Sequence, residues 1–91
     1  VLTAVLQRAA AMRASDVHLT QDREPILRVA GELRALAGEE PPDLAALLDE
    51  DQLGRVLGGH AIDLGLDVVG VGRLRVNVYH SEDGLSAAVR L

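Results

Sequence analysis

Arg73 and Arg75 stand two positions apart in a stretch where Leu74, Val76 and Val78 alternate with polar residues, and Arg90 stands in a later stretch of the same kind. Alternation of this sort puts the first two arginines on one side of a strand. The polar segment Ser81 to Gly84 folds the two stretches into a hairpin, and a centre near residue 82 or 83 brings Arg75 and Arg90 almost opposite each other. Like charges placed opposite one another on a sheet repel, so the arrangement favours an anion or an acidic partner. Guanidinium groups stay charged and grip carboxylate or phosphate through two parallel hydrogen bonds, which makes the pair a candidate anion clamp with Arg73 as a third member. Asp63 and Asp67, in the alternating stretch just before, are the internal competitors for the same guanidinium groups.

The remaining chemistry-bearing residues point to less. Asp16 with His18, and His60 with Asp63, have the residue types of a metal or proton-transfer site, and Asp16 and His18 face the same way on a strand. The three histidines have no third ligand or cysteine beside them, so no metal site is expected. Gly70-Val71-Gly72 leads into a strand rather than a helix and is a hairpin turn, not a phosphate loop. The chain contains no Cys and, on inspection, no Lys, which excludes thiolate nucleophiles, Schiff-base lysines and a Walker A loop. No catalytic residue is assigned, and this chain alone is not expected to catalyse a reaction. The run Glu39, Glu40, Asp43, Asp49, Glu50 and Asp51 contains no basic residue and reads as a solvated loop and helix face, or as a docking surface. A net charge of -5 argues against nucleic acid as a partner, and no apolar run reaches the roughly 18 residues that would span a bilayer.

The elements that hold these residues follow from periodicity. At 91 residues the chain is one domain, 1–91, of modest intrinsic stability. Leu2, Val5, Leu6, Ala9 and Met12 recur at helical spacing up to Arg13, and Ser15 and Asp16 are expected to end that helix. Strands are expected at Val17 to Thr20, Ile26 to Val29 and Glu32 to Leu36, the last two joined through Ala30 and Gly31. After the Ala37 to Pro42 loop, Asp43 is expected to cap a helix through Leu44, Leu47 and Leu48, with a break near Asp49 to Asp51, ending at Gly58 and Gly59. Three alternating strands follow, at Ile62 to Val68, Arg73 to Tyr79 and Leu85 to Leu91. The fold class is α+β: an antiparallel sheet of about six short strands, with two or three helices on its Leu/Val face and the arginines on the other. With Val1 in place of an initiator methionine and Leu91 in mid-strand, the chain reads as a piece of a longer protein.

Ala14-Ser15-Asp16-Val17-His18-Leu19, Arg28-Val29-Ala30-Gly31-Glu32-Leu33-Arg34, Asp63-Leu64-Gly65-Leu66 and Gly70-Val71-Gly72-Arg73-Leu74-Arg75-Val76-Asn77 occur in that order. Together they resemble the amino-terminal domain of the type IV pilus and type II secretion motor ATPases, most of all the twitching-motility, pilus-retraction branch. The resemblance implies a PAS-like domain ahead of a RecA-like ATPase domain that this chain lacks, in homo-hexamers binding ATP and Mg2+ between the two domains. It implies that arginines of the first domain reach the nucleotide phosphates, at positions matching Arg75, Arg90 and, less closely, Arg73. The implied partners are the RecA-like domain, neighbouring subunits and inner-membrane pilus or secretion platform proteins. The implied location is cytoplasmic, peripheral to the inner membrane, without insertion into it. Departures from the pattern are Ala30 where the family carries Asp, Leu64, Leu66 and Leu74 where it carries Phe, and a short segment before His60. Outside the motor reading, the same chain is open to a PAS-like ligand-sensing module or a protein-docking module of a secretion system.

Overall fold

The computed structural model describes residues 2–91. Helix α1 spans Leu2–Ala11 and buries Val5, Leu6 and Ala9. Its end is not made by Ser15 and Asp16, as periodicity and residue type led us to expect. Arg13 adopts a left-handed backbone (φ 59°). Its N–H donates to the Ala10 carbonyl at 3.0 Å, and the Ala14 N–H donates to Ala9 at 3.0 Å. That is a Schellman closure, which satisfies the last carbonyls of the helix from the backbone and leaves the Ser15 side chain free for other work.

Strand β1 is Asp16–Thr20, β2 is Ile26–Val29 and β3 is Glu32–Ala35. Ala30 and Gly31, both at positive φ (52° and 80°), make the tight turn between β2 and β3. The Asp43 helix is a second correction. A single 3-10 turn, Leu44–Leu47, comes first and receives no side-chain cap from Asp43. Gln21 takes that role, its Oε1 accepting the Leu44 N–H at 3.0 Å. Helix α2 (Glu50–Leu57) then starts afresh at Asp49, whose side chain accepts the Gln52 N–H while the Gln52 side chain accepts the Asp49 N–H. This reciprocal box explains the break near Asp49 to Asp51, because a residue that caps a new helix cannot continue an old one. At the other end Gly59 (φ 101°) closes α2 with the same Schellman pattern as Arg13 closes α1, as the two glycines foretold.

Strands β4 (Ile62–Val68), β5 (Gly72–Ser81) and β6 (Gly84–Arg90) complete an antiparallel six-stranded sheet in the order β3-β2-β1-β6-β5-β4. The fold is therefore α+β, with two α-helices and one 3-10 turn against one face of the sheet. Val17, Leu19, Leu27, Leu74, Val76, Val78, Ala87 and Val89 from the sheet pack with Val5, Leu6, Leu44 and Val56 in one core of buried aliphatic side chains. The other face is open. It carries the arginines.

Candidate functional site

Register fixes the site. Arg75 of β5 pairs directly with Arg90 of β6, as the hairpin arithmetic predicts. Beyond that pair the sheet adds neighbours in the same row: Arg75 faces Gly65 of β4, Arg90 faces Asp16 of β1, and Asp16 faces Arg28 of β2. Directly paired residues point to one face, so Arg75, Arg90, Asp16 and Arg28 form a line across the open face, at the first residue of β1 and the last of β6. Ser15 pins this line at its centre. Its N–H donates to the Arg28 carbonyl at 2.9 Å and its carbonyl accepts the Leu91 N–H at 3.0 Å.

The sequence-derived candidates separate here. Arg73 is committed within the domain: its Nη1 donates to both carboxylate oxygens of Asp67, at 3.1 and 3.2 Å. Its guanidinium also lies over Gly65, where a Cβ would collide with it. Arg75 and Arg90 each have a carboxylate nearby but at longer range. Arg75 Nη2 is 3.8 Å from Asp63 Oδ2, and Arg90 Nε is 3.7 Å from Asp16 Oδ1. Neither contact is a hydrogen bond. Both carboxylates are held by other donors, Asp63 by Asn77 Nδ2 at 3.0 Å and Asp16 by Ser15 Oγ at 2.8 Å. The side chains of Arg75 and Arg90 remain 82% and 87% exposed, so their hydrogen-bonding edges face solvent. Asp16, Asp63, Arg75, Asn77 and Arg90 line a shallow open cleft at this point.

Other candidates do not assemble. Asp16 is occupied with arginines and Ser15 rather than joined to His18 in a ligand set, and Asp63 is engaged by Asn77 and Arg75. Among the described residues no group of three or more His, Cys, Asp or Glu gathers. The acidic run is divided: Glu39 pairs with Arg8 of α1 at 2.9 Å, and Asp49 is the cap of α2. Arg28 was missed by sequence reading. Its place in the row depends on β1–β2 pairing, which no local pattern announces.

The sequence matches no family model and no curated protein. The fold matches, over nearly the whole chain, the amino-terminal part of type II and type IV secretion ATPases. A crystal structure of the pilus retraction motor PilT with bound ADP superposes with a TM-score of 0.77 at 25% identity, covering 98% of this chain and 28% of that one. The Legionella pneumophila ATPase DotB superposes with a TM-score of 0.74 at 21% identity, covering 93% of this chain and 27% of that one, a likeness of fold. The chain thus spans little more than a quarter of the structures it matches. No helix among the described residues is long and apolar enough to cross a membrane.

Proposed function

We propose that residues 1–91 form the amino-terminal domain of a hexameric pilus or secretion motor ATPase, and that Arg75 and Arg90 reach the phosphates of its nucleotide. The observation that carries this reading is the arginine pair itself. Arg75 and Arg90 are directly paired across β5 and β6, their side chains exposed and without a hydrogen bond of their own among the described residues. Two arginines paired across a sheet with their donors exposed suit an anion, and phosphate oxygens are acceptors that guanidinium groups bind well. The likeness to a retraction motor whose structure holds ADP supports a nucleotide as that anion.

In this reading the partners are a RecA-like ATPase domain and neighbouring subunits of a homo-hexamer. ATP and Mg2+ belong to the complete protein, together with its hydrolytic machinery. The domain contributes positive charge where negative charge builds on the transferring phosphoryl group, and passes the ensuing movement to its neighbours. The parent works in the cytoplasm, at the inner-membrane platform of a type IV pilus or secretion system.

The test is hydrolysis by the complete protein carrying single substitutions. Arg75→Ala and Arg90→Ala are each expected to lower turnover about 10³-fold, the scale on which arginine fingers act. Turnover at the parental rate in both would remove the clamp.

A further inference from the structure

Asp16 occupies the centre of the cationic row, and its environment is unusual for a strand residue on an open face. Its side chain is only 25% exposed. It lies between two arginines, 3.7 Å from Arg90 Nε through Oδ1 and 3.9 Å from Arg28 Nε through Oδ2. Both contacts exceed hydrogen-bond length, and both use the Nε edge, leaving the outer nitrogens of Arg90 open. What holds the carboxylate in place is the Ser15 hydroxyl, which donates to Oδ2 at 2.8 Å. Ser15 is itself fixed by backbone bonds to β2 and to Leu91. Arg28 Nη1 donates instead to the Gly31 carbonyl at 3.3 Å.

We infer that Asp16 is a built-in counter-anion for the clamp: it neutralises Arg90 while the site is empty and is released onto Arg28 when a polyphosphate engages Arg75 and Arg90. The inference rests on the arginine clamp proposed above and adds two residues to it. Asp16 is a positioning residue that sets the threshold charge a ligand must carry, and Arg28 is the cation that receives its carboxylate. A weakly charged anion gains too little from the arginines to displace Asp16. A polyphosphate gains enough, because it meets two guanidinium groups at once while the Asp16–Arg90 contact it breaks is longer than a hydrogen bond. Arg28 makes the exchange possible, since Asp16 keeps an ion-pair partner without leaving its hydrogen bond to Ser15.

The experiment is titration of the 91-residue chain with inorganic tripolyphosphate, followed by calorimetry. Asp16→Asn keeps the side-chain shape and an acceptor for Ser15 but removes the charge, and is expected to bind tripolyphosphate about fivefold more tightly than the parent. Asp16→Glu retains the charge and is expected to stay within about twofold of it. Arg28→Ala is expected to weaken binding when Asp16 is present and to matter less in the Asp16→Asn background, a coupling read by the double-mutant cycle. Removing any negative charge beside the clamp raises anion affinity, so the coupling to Arg28 in the double-mutant cycle is what separates an exchanged counter-anion from a bystander carboxylate. Parental or weaker affinity in Asp16→Asn, with binding still lost in Arg90→Ala, overturns the counter-anion and leaves the clamp standing. Tripolyphosphate binding that ignores both Arg75→Ala and Arg90→Ala overturns the clamp, and the counter-anion with it.

Discussion

An arginine's function depends on what its hydrogen-bonding edge is already doing. Arg73, Arg75 and Arg90 share residue type, strand environment and face, yet among them only Arg73 hydrogen-bonds a carboxylate of its own domain, through Nη1 to both oxygens of Asp67. That pair is 68% and 78% exposed, so it contributes little stability, but it holds Nη1 against Asp67 and gives Arg73 a counter-charge at hydrogen-bond distance. Arg73→Ala in the complete protein is therefore expected to change turnover by less than about threefold, against about 10³-fold for its neighbours, as steady-state hydrolysis would show. The pairing of Arg75 with Arg90 was legible because a short turn fixes hairpin register by counting. The place of Asp16 was not legible. Its neighbour across the sheet lies on β6, far along the chain, and no local pattern announces that β1 and β6 are adjacent.

At the scale of elements, two helix ends and one turn show how the same backbone need is met by better and worse residues. Gly59 and Arg13 occupy equivalent positions in two Schellman closures, at φ 101° and 59°. Glycine takes the left-handed conformation without steric penalty, whereas a residue with a Cβ is disfavoured there by roughly 1–2 kcal/mol. Ala30, at φ 52° in the β2–β3 turn, meets the same constraint. Arg13→Gly and Ala30→Asn are each expected to stabilise the chain by about 0.5–1 kcal/mol, read as a raised midpoint in denaturant at unchanged m-value. Neither position touches the clamp, so a gain would leave anion binding unchanged. Strand positions were readable best where burial alternates, as in β1, β4 and β5, although β3 is exposed throughout, whereas helix boundaries were read less well. The terminator of α1 is an unremarkable arginine, and the cap of the 3-10 turn is Gln21, brought in from a distant loop. The position of a break near Asp49 was visible in the sequence, but the reason for it, a capping box, needs the two side chains seen together.

The whole molecule has a division of labour between the two faces of its sheet. One face is closed by α1, the 3-10 turn and α2 over an aliphatic core that contains no aromatic side chain. The other is left to the arginine row and, toward β3, to exposed Leu33. A domain of this size has about 5–14 kcal/mol of net stability, so a single buried leucine represents a large share of it. Leu44 gives the sharpest test of where that stability lies. It belongs to a turn of only four residues, too short to hold itself together, yet it is fully buried. Its backbone is tied to Gln21, whose own N–H donates to Leu85 of β6 at 2.8 Å. The turn's own hydrogen bonds, from Ala46 to Asp43 at 3.3 Å and from Leu48 to Ala45 at 3.1 Å, are thus joined by its tie to the sheet, with Leu44 as the anchor. Leu44→Ala is expected to cost about 2–4 kcal/mol in chemical denaturation, as for a leucine at the centre of a long helix. Leu33→Ala, on the open face, is expected to change stability by less than about 0.5 kcal/mol. If Leu44→Ala proved as mild as Leu33→Ala, the segment between the loop and α2 would be a surface connection rather than part of the core. The burial of Leu44 and its tie to β6 through Gln21 place it in the core.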